Sequence, residues 1–165
     1  MKNTLTIARI LTWFNLLFWG GFLALMLLSA LALQVFAALV GVFVLCAIPL
    51  HSYAALQLQR AIRFPNVKLS NHTPVGIRFV GLVALFFGIS TTANAFVVLR
   101  TPGAMLATMR DNMPNLKQFT EAQLSSALHL LAVAGIVVGL AVVVNVLLNT
   151  RLLRWYYLVK RSDNS

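Results

Sequence analysis

Few side chains in this sequence could do chemistry, and their types narrow what chemistry is open. There are three histidines (His51, His72 and His129), one cysteine (Cys46) and three acidic residues (Asp111, Glu121 and Asp163). None of the acids falls inside the long apolar runs. Proton relays and cation sites within a membrane rest on a buried carboxylate, so a small proton-driven exporter is disfavoured. The same lack removes an aspartyl dyad, a di-metal carboxylate centre and the interfacial carboxylates that Mg-dependent lipid phosphotransfer needs. One cysteine permits no internal disulfide and no CxxC redox or zinc motif. His51 is expected toward the inner end of its span and His129 toward the outer end of another, which leaves no bis-histidine haem pair. Each histidine is expected to hydrogen-bond a neighbouring helix or a headgroup. No catalytic residue, cofactor or metal follows from this set.

The remaining polar side chains fall into two layers. Asn15, His51, Gln57, Asn145 and Asn149 are expected in the inner half, and Thr91, Thr92 and Asn94 in the outer half, with Gln34 and His129 nearer the outer surface. They either line a water-filled cavity or bridge helices, because amides and hydroxyls in lipid seek partners on adjacent helices. Small residues recur at four-residue spacing: Gly135 with Gly139, Ala84 with Gly88 and Thr92, and Ala37 with Gly41. Such steps let helices approach closely, so Gly135 and Gly139 are candidate helix-contact residues, within the chain or between copies. Met105, Met109 and Met113 share one helical face. Thioethers suit Cu(I), but no histidine or cysteine accompanies them, and a flexible apolar face is the expected role.

The elements that must position these residues follow from composition. Sixty per cent of the 165 residues are hydrophobic and ten per cent are charged, against roughly a quarter charged in a soluble domain. A fold this small has too much surface for its volume to hide that apolar content from water. A bilayer core of ~30 Å needs ~20 apolar residues in helical form. Four segments qualify, at about 7–29, 33–56, 77–99 and 124–148, which predicts one all-α integral membrane domain over 1–165. Lys2, Arg9 and the Ala30-Leu31-Ala32 sequence resemble a signal peptide, but the apolar run is too long for one, and a retained first span is expected. Pro49 is expected to kink the second span.

Net charge is +10, and ten of the thirteen basic residues flank the spans on one side, with Arg100, Arg110 and Lys117 on the other. The positive-inside rule then places both termini in the cytoplasm. Trp13, Trp155, Tyr156 and Tyr157 fall at the same interface, where amphipathic rings sit. The basic excess matches anionic headgroups; no basic stripe with interleaved aromatics outside the spans points to nucleic acid. Between the third and fourth spans, an outer segment at about 101–120 is expected to hold a short interfacial helix, Ala104 to Met113, after the Thr101-Pro102-Gly103 stop. Thr120-Glu121-Ala122-Gln123 fits a capping box for the fourth helix, which meets no break after Gly139 and is expected to continue to about Val159.

Ala47-Ile48-Pro49, Arg60 and Lys68-Leu69-Ser70, leading on to the start of the third span, resemble an uncharacterised bacterial family, the domain-of-unknown-function family 2975. Its members are small four-span membrane proteins, often encoded beside a Cro/CI-like regulator. This chain departs from the pattern in its very short first hairpin and its longer outer segment. The resemblance implies topology and a multi-pass place in the bacterial inner membrane; it implies no activity and carries over no functional residue. The expected function is non-enzymatic, as an accessory, regulatory or self-assembling subunit, with a larger membrane protein or a second copy as partner. The alternative is a pore or carrier for an uncharged or anionic small solute.

Overall fold

A computed structural model describes residues 2–32, 36–64, 66–112 and 118–162. These residues form helices and connections, with no strand among them. Four stretches are long and apolar enough to cross a membrane: Asn3–Ala32, Gly41–Arg63, Thr73–Arg100 and Glu121–Lys160. Their outer faces are strongly apolar, with Phe43 82%, Phe86 73% and Leu130 73% exposed. Side chains of that size normally leave water on folding, each worth roughly 1.5–3 kcal/mol when buried. The expected first turn around Gln34, and Met113 of the methionine stripe, lie outside the described residues.

Helix α1 spans Lys2–Ala32. Helices α2 (Phe36–Leu45) and α3 (Ala47–Arg63) make up the second apolar stretch. They part at Cys46 because Pro49 has no N–H to give to the carbonyl one turn earlier, and its ring crowds that carbonyl. The bonds from Cys46 N to Val42 O (3.0 Å) and from Leu50 N to Cys46 O (3.1 Å) keep the path helical across the break.

The third stretch begins with the single turn α4, Thr73–Val75, which carries Pro74 in its first turn. A π-helical turn, Gly76–Val80, follows, then α5, Gly81–Arg100. Helix α6 runs Pro102–Asn112 and α7 runs Glu121–Ser162. Both proline-led helices start earlier than the expected 77 and 104, because proline at the first helical positions gives up only an N–H that would lack a partner anyway. The capping box closes as its residues require: Gln123 N donates to Thr120 Oγ1 (3.3 Å) and Thr120 N donates to Gln123 Oε1 (3.0 Å). With 42 residues at ~1.5 Å each, α7 is about twice as long as a ~30 Å hydrocarbon core.

The chain divides into two compact units: Met1–Phe87 with Ala141–Ser165, and Gly88–Leu140. In the first unit α1 packs on α2 and α3, and α3 packs on the π turn. Ala8, Ala54, Leu58, Ile77, Leu152 and Leu153 form its buried apolar cluster. The π turn has a local role. It sets Gly76 and Gly81 five residues apart, one turn of an i→i+5 helix, and both glycines meet α3. A Cβ on Gly76 would lie 2.9 Å from Ala54 Cβ, and one on Gly81 would lie 2.8 Å from His51 Nδ1.

Candidate functional site

The buried face of α1 carries Ala8, Thr12, Asn15, Trp19 and Leu23 at helical spacing. That of α3 includes Ile48, Ser52, Ala55 and Gln59, and α7 adds Asn145 and Asn149 one turn apart. Thr12, Gln59, Asn145 and Asn149 meet. The Thr12 hydroxyl lies 2.7 Å from Asn145 Oδ1 and 2.6 Å from the Ala8 carbonyl, either of which can accept its one proton. Gln59 Nε2 donates to Thr12 Oγ1 (3.0 Å) and to Asn149 Oδ1 (2.8 Å). Asn149 Nδ2 donates to Asn145 Oδ1 (2.9 Å) and to the Asn145 carbonyl (2.8 Å). Four side chains from three helices thus bond one another, with Gln59 Oε1 alone left without a donor, and at most 5% of any of them is exposed. Asn15 joins α1 to α7 separately, donating to the Ala141 carbonyl at 3.2 Å.

Of the inner residues singled out by sequence, Asn15, Asn145 and Asn149 therefore bridge helices. Gln57 turns elsewhere and accepts from the Thr73 hydroxyl at 2.6 Å. His51 is buried against Gly81 with neither ring nitrogen hydrogen-bonded; the Gly76 backbone lies near it but outside bonding geometry. Sequence reasoning missed Thr12 and Gln59. The signal for both was spacing: Thr12 stands four residues after Ala8 and three before Asn15, and Gln59 is seven residues from Ser52, while Gln57 falls off that stripe.

The outer residues do not assemble. Thr92 donates to the Gly88 carbonyl of its own helix (2.8 Å), and His129 Nδ1 lies 2.8 Å from the Ser125 carbonyl, also in its own helix. Thr91 is half-buried and Asn94 exposed. Close packing in this unit comes from the glycine step. A Cβ on Gly139 would run into Thr92 and come within 2.9 Å of the Gly88 carbonyl oxygen, and one on Gly135 would lie 3.1 Å from Ala95 Cβ. The Gly135 and Gly139 face is thus filled by α5 of the same chain. By contrast, nothing lies within 4 Å of a Cβ on Gly41.

Six buried side-chain atoms of the first unit have no hydrogen-bond partner: Asn15 Oδ1, Trp19 Nε1, Ser52 Oγ, Gln59 Oε1 and both nitrogens of His51. Trp19 is held edge-on against Phe87, with ring centres 5.4 Å apart. Among the described residues no group of three histidine, cysteine or acidic side chains could hold a metal ion. Searches of protein-family models, curated proteins and solved structures find no match to this chain.

Proposed function

We propose that the chain is a non-enzymatic, multi-pass protein of the bacterial inner membrane that works through protein partners, as an accessory, regulatory or self-assembling subunit. The observation that carries this reading is the mutual closure of Thr12, Gln59, Asn145 and Asn149. Most of the hydrogen bonding these side chains offer is spent on each other, so they hold helices together. The basic end of α7 supplies a surface for a partner: Arg154, Tyr157, Leu158 and Lys160 are exposed there, beyond the length a bilayer needs. With both termini in the cytoplasm, that end lies beside the anionic leaflet.

A photo-crosslinker at Leu158 in intact cells tests the reading. It should trap one discrete protein or a second copy of the chain. A chain that stays monomeric in native detergent extracts and traps no protein from this position defeats the proposal. The second reading, a pore or carrier for an uncharged or anionic small solute, draws on the unpartnered Asn15, Trp19, Ser52 and His51 atoms as partners for a polar guest.

A further inference from the structure

The N-terminal part of α1 and the C-terminal part of α3 leave a half-open groove of about 810 Å³. Arg9, Arg60 and Arg63 all line it, and all three are exposed. No described carboxylate answers them: Asp111 and Glu121 belong to the other unit, where Glu121 is taken by Arg110 at 2.9 Å. Asp163 is the only other acid in the sequence, and it lies outside the described residues. The Arg63 guanidinium stands over the Phe64 ring, 5.5 Å from its centre.

A second, independent feature opens on the same groove. Gln59 lines it and is only 5% exposed, yet its Oε1 has no donor. Its amide nitrogen is held by Thr12 and Asn149, so the side chain cannot turn to find one without breaking those bonds. A buried acceptor left empty costs about 1–3 kcal/mol, which a ligand hydroxyl would relieve. Thr6 also lines the groove, and the rest of the wall is apolar or amphipathic, through Leu5, Ile10, Leu56, Phe64 and Trp13.

We propose that this groove binds a single anionic phospholipid with a hydroxylated headgroup, of the phosphatidylglycerol type. Three guanidinium groups take the phosphate, whose planar, multidentate hydrogen bonding arginine matches. A headgroup hydroxyl donates to Gln59 Oε1. An acyl chain lies along Leu5, Ile10 and Leu56. The chemistry ranks ligands: phosphatidylcholine has no net negative charge and no hydroxyl, and soluble glycerol phosphate has no chain for the apolar wall. The inference goes beyond the partner reading and depends only on membrane residence.

Native mass spectrometry of the full chain in detergent tests it, with phosphatidylglycerol, phosphatidylcholine and glycerol phosphate as separate probes. One phosphatidylglycerol should remain bound, about tenfold or more tighter than phosphatidylcholine, and glycerol phosphate should not bind. The triple variant Arg9→Gln, Arg60→Gln, Arg63→Gln should lose that preference. A charge-matched control, Lys68→Gln, Arg151→Gln, Arg154→Gln, removes three exposed cations outside the groove and should keep it. Melting curves check that both variants fold; if the groove triple does not, Arg60→Gln alone must weaken phosphatidylglycerol several-fold and leave phosphatidylcholine unchanged. Equal binding of the two lipids, or equal loss in both triples, overturns the site in favour of general headgroup attraction. Glycerol phosphate binding as tightly as the lipid overturns it in favour of a soluble-anion site.

Discussion

The two compact units contain the same kinds of polar residue and use them in opposite ways. In the first, Thr12, Gln59, Asn145 and Asn149 bond between helices that are far apart in sequence. In the second, the bonds of Thr92, Thr101, Thr108, Asn112 and His129 all run four residues back along their own helix. What joins α5 to α7 there is absence of bulk, with Gly139 against Gly88 and Thr92, and Gly135 against Ala95. A threonine or asparagine in an apolar helix therefore has two outlets. It bridges when a polar side chain or an open carbonyl of another helix faces it, as Asn15 does with Ala141, or it bonds the i−4 carbonyl, as isolated serines and threonines do. Hydrogen bonds between side chains thus add to apolar packing in the first unit, whereas α5 and α7 in the second meet through van der Waals fit.

The largest expected effect is on the glycine step. Gly139→Leu should cost about 3 kcal/mol, at the upper end of overpacking penalties, because its Cβ would meet the backbone of Gly88, which cannot rotate away. Gly41→Leu, into open space, serves as the control and should leave the melting temperature unchanged. A tolerated Gly139→Leu would mean that the second unit is not held by close approach. The next effect is in the amide cluster. Asn149→Leu keeps the side chain's bulk and leaves Gln59 a hydrogen-bond donor without its acceptor, so unfolding by SDS in mixed micelles should fall by about 1–3 kcal/mol. The smallest belongs to Thr92→Val. It removes a hydroxyl that bonds only its own helix and should shift stability by less than about 0.5 kcal/mol. A loss as large as that for Asn149→Leu would erase the distinction between the units.

Much of this architecture was legible from the sequence. The four apolar stretches, the capping box at Thr120 and Gln123, and the long fourth helix follow from length, composition and local pattern. One proline was harder. Pro102 read as punctuation, yet it opens a helix, because only a proline beyond the first turn removes a needed bond. The glycine pair at Gly76 and Gly81 was invisible for a different reason. A five-residue spacing shares a face only in a π turn, and no α-helical pattern suggests one. In the amide cluster the gap came from the solvent. Where the outer face is as apolar as the core, hydrophobic periodicity no longer marks the inside, and the buried stripe is the one with polar and small residues. Asn145 and Asn149 stood out within an apolar run, whereas Thr12 looked unremarkable near a basic terminus, and choosing Gln59 over Gln57 needed the packing stripe of α3.

The central claim is that the buried amides act as a bonded unit linking helices. A double-mutant cycle of Gln59→Leu and Asn149→Leu, followed by SDS unfolding in mixed micelles, tests it most directly. Removing either partner should strand the other, so each single variant should lose stability, while the double variant removes both and should lose about as much as one. The account predicts a coupling on the order of 1 kcal/mol. Losses that add to within about 0.3–0.5 kcal/mol would mean the two side chains do not support each other, and would contradict it.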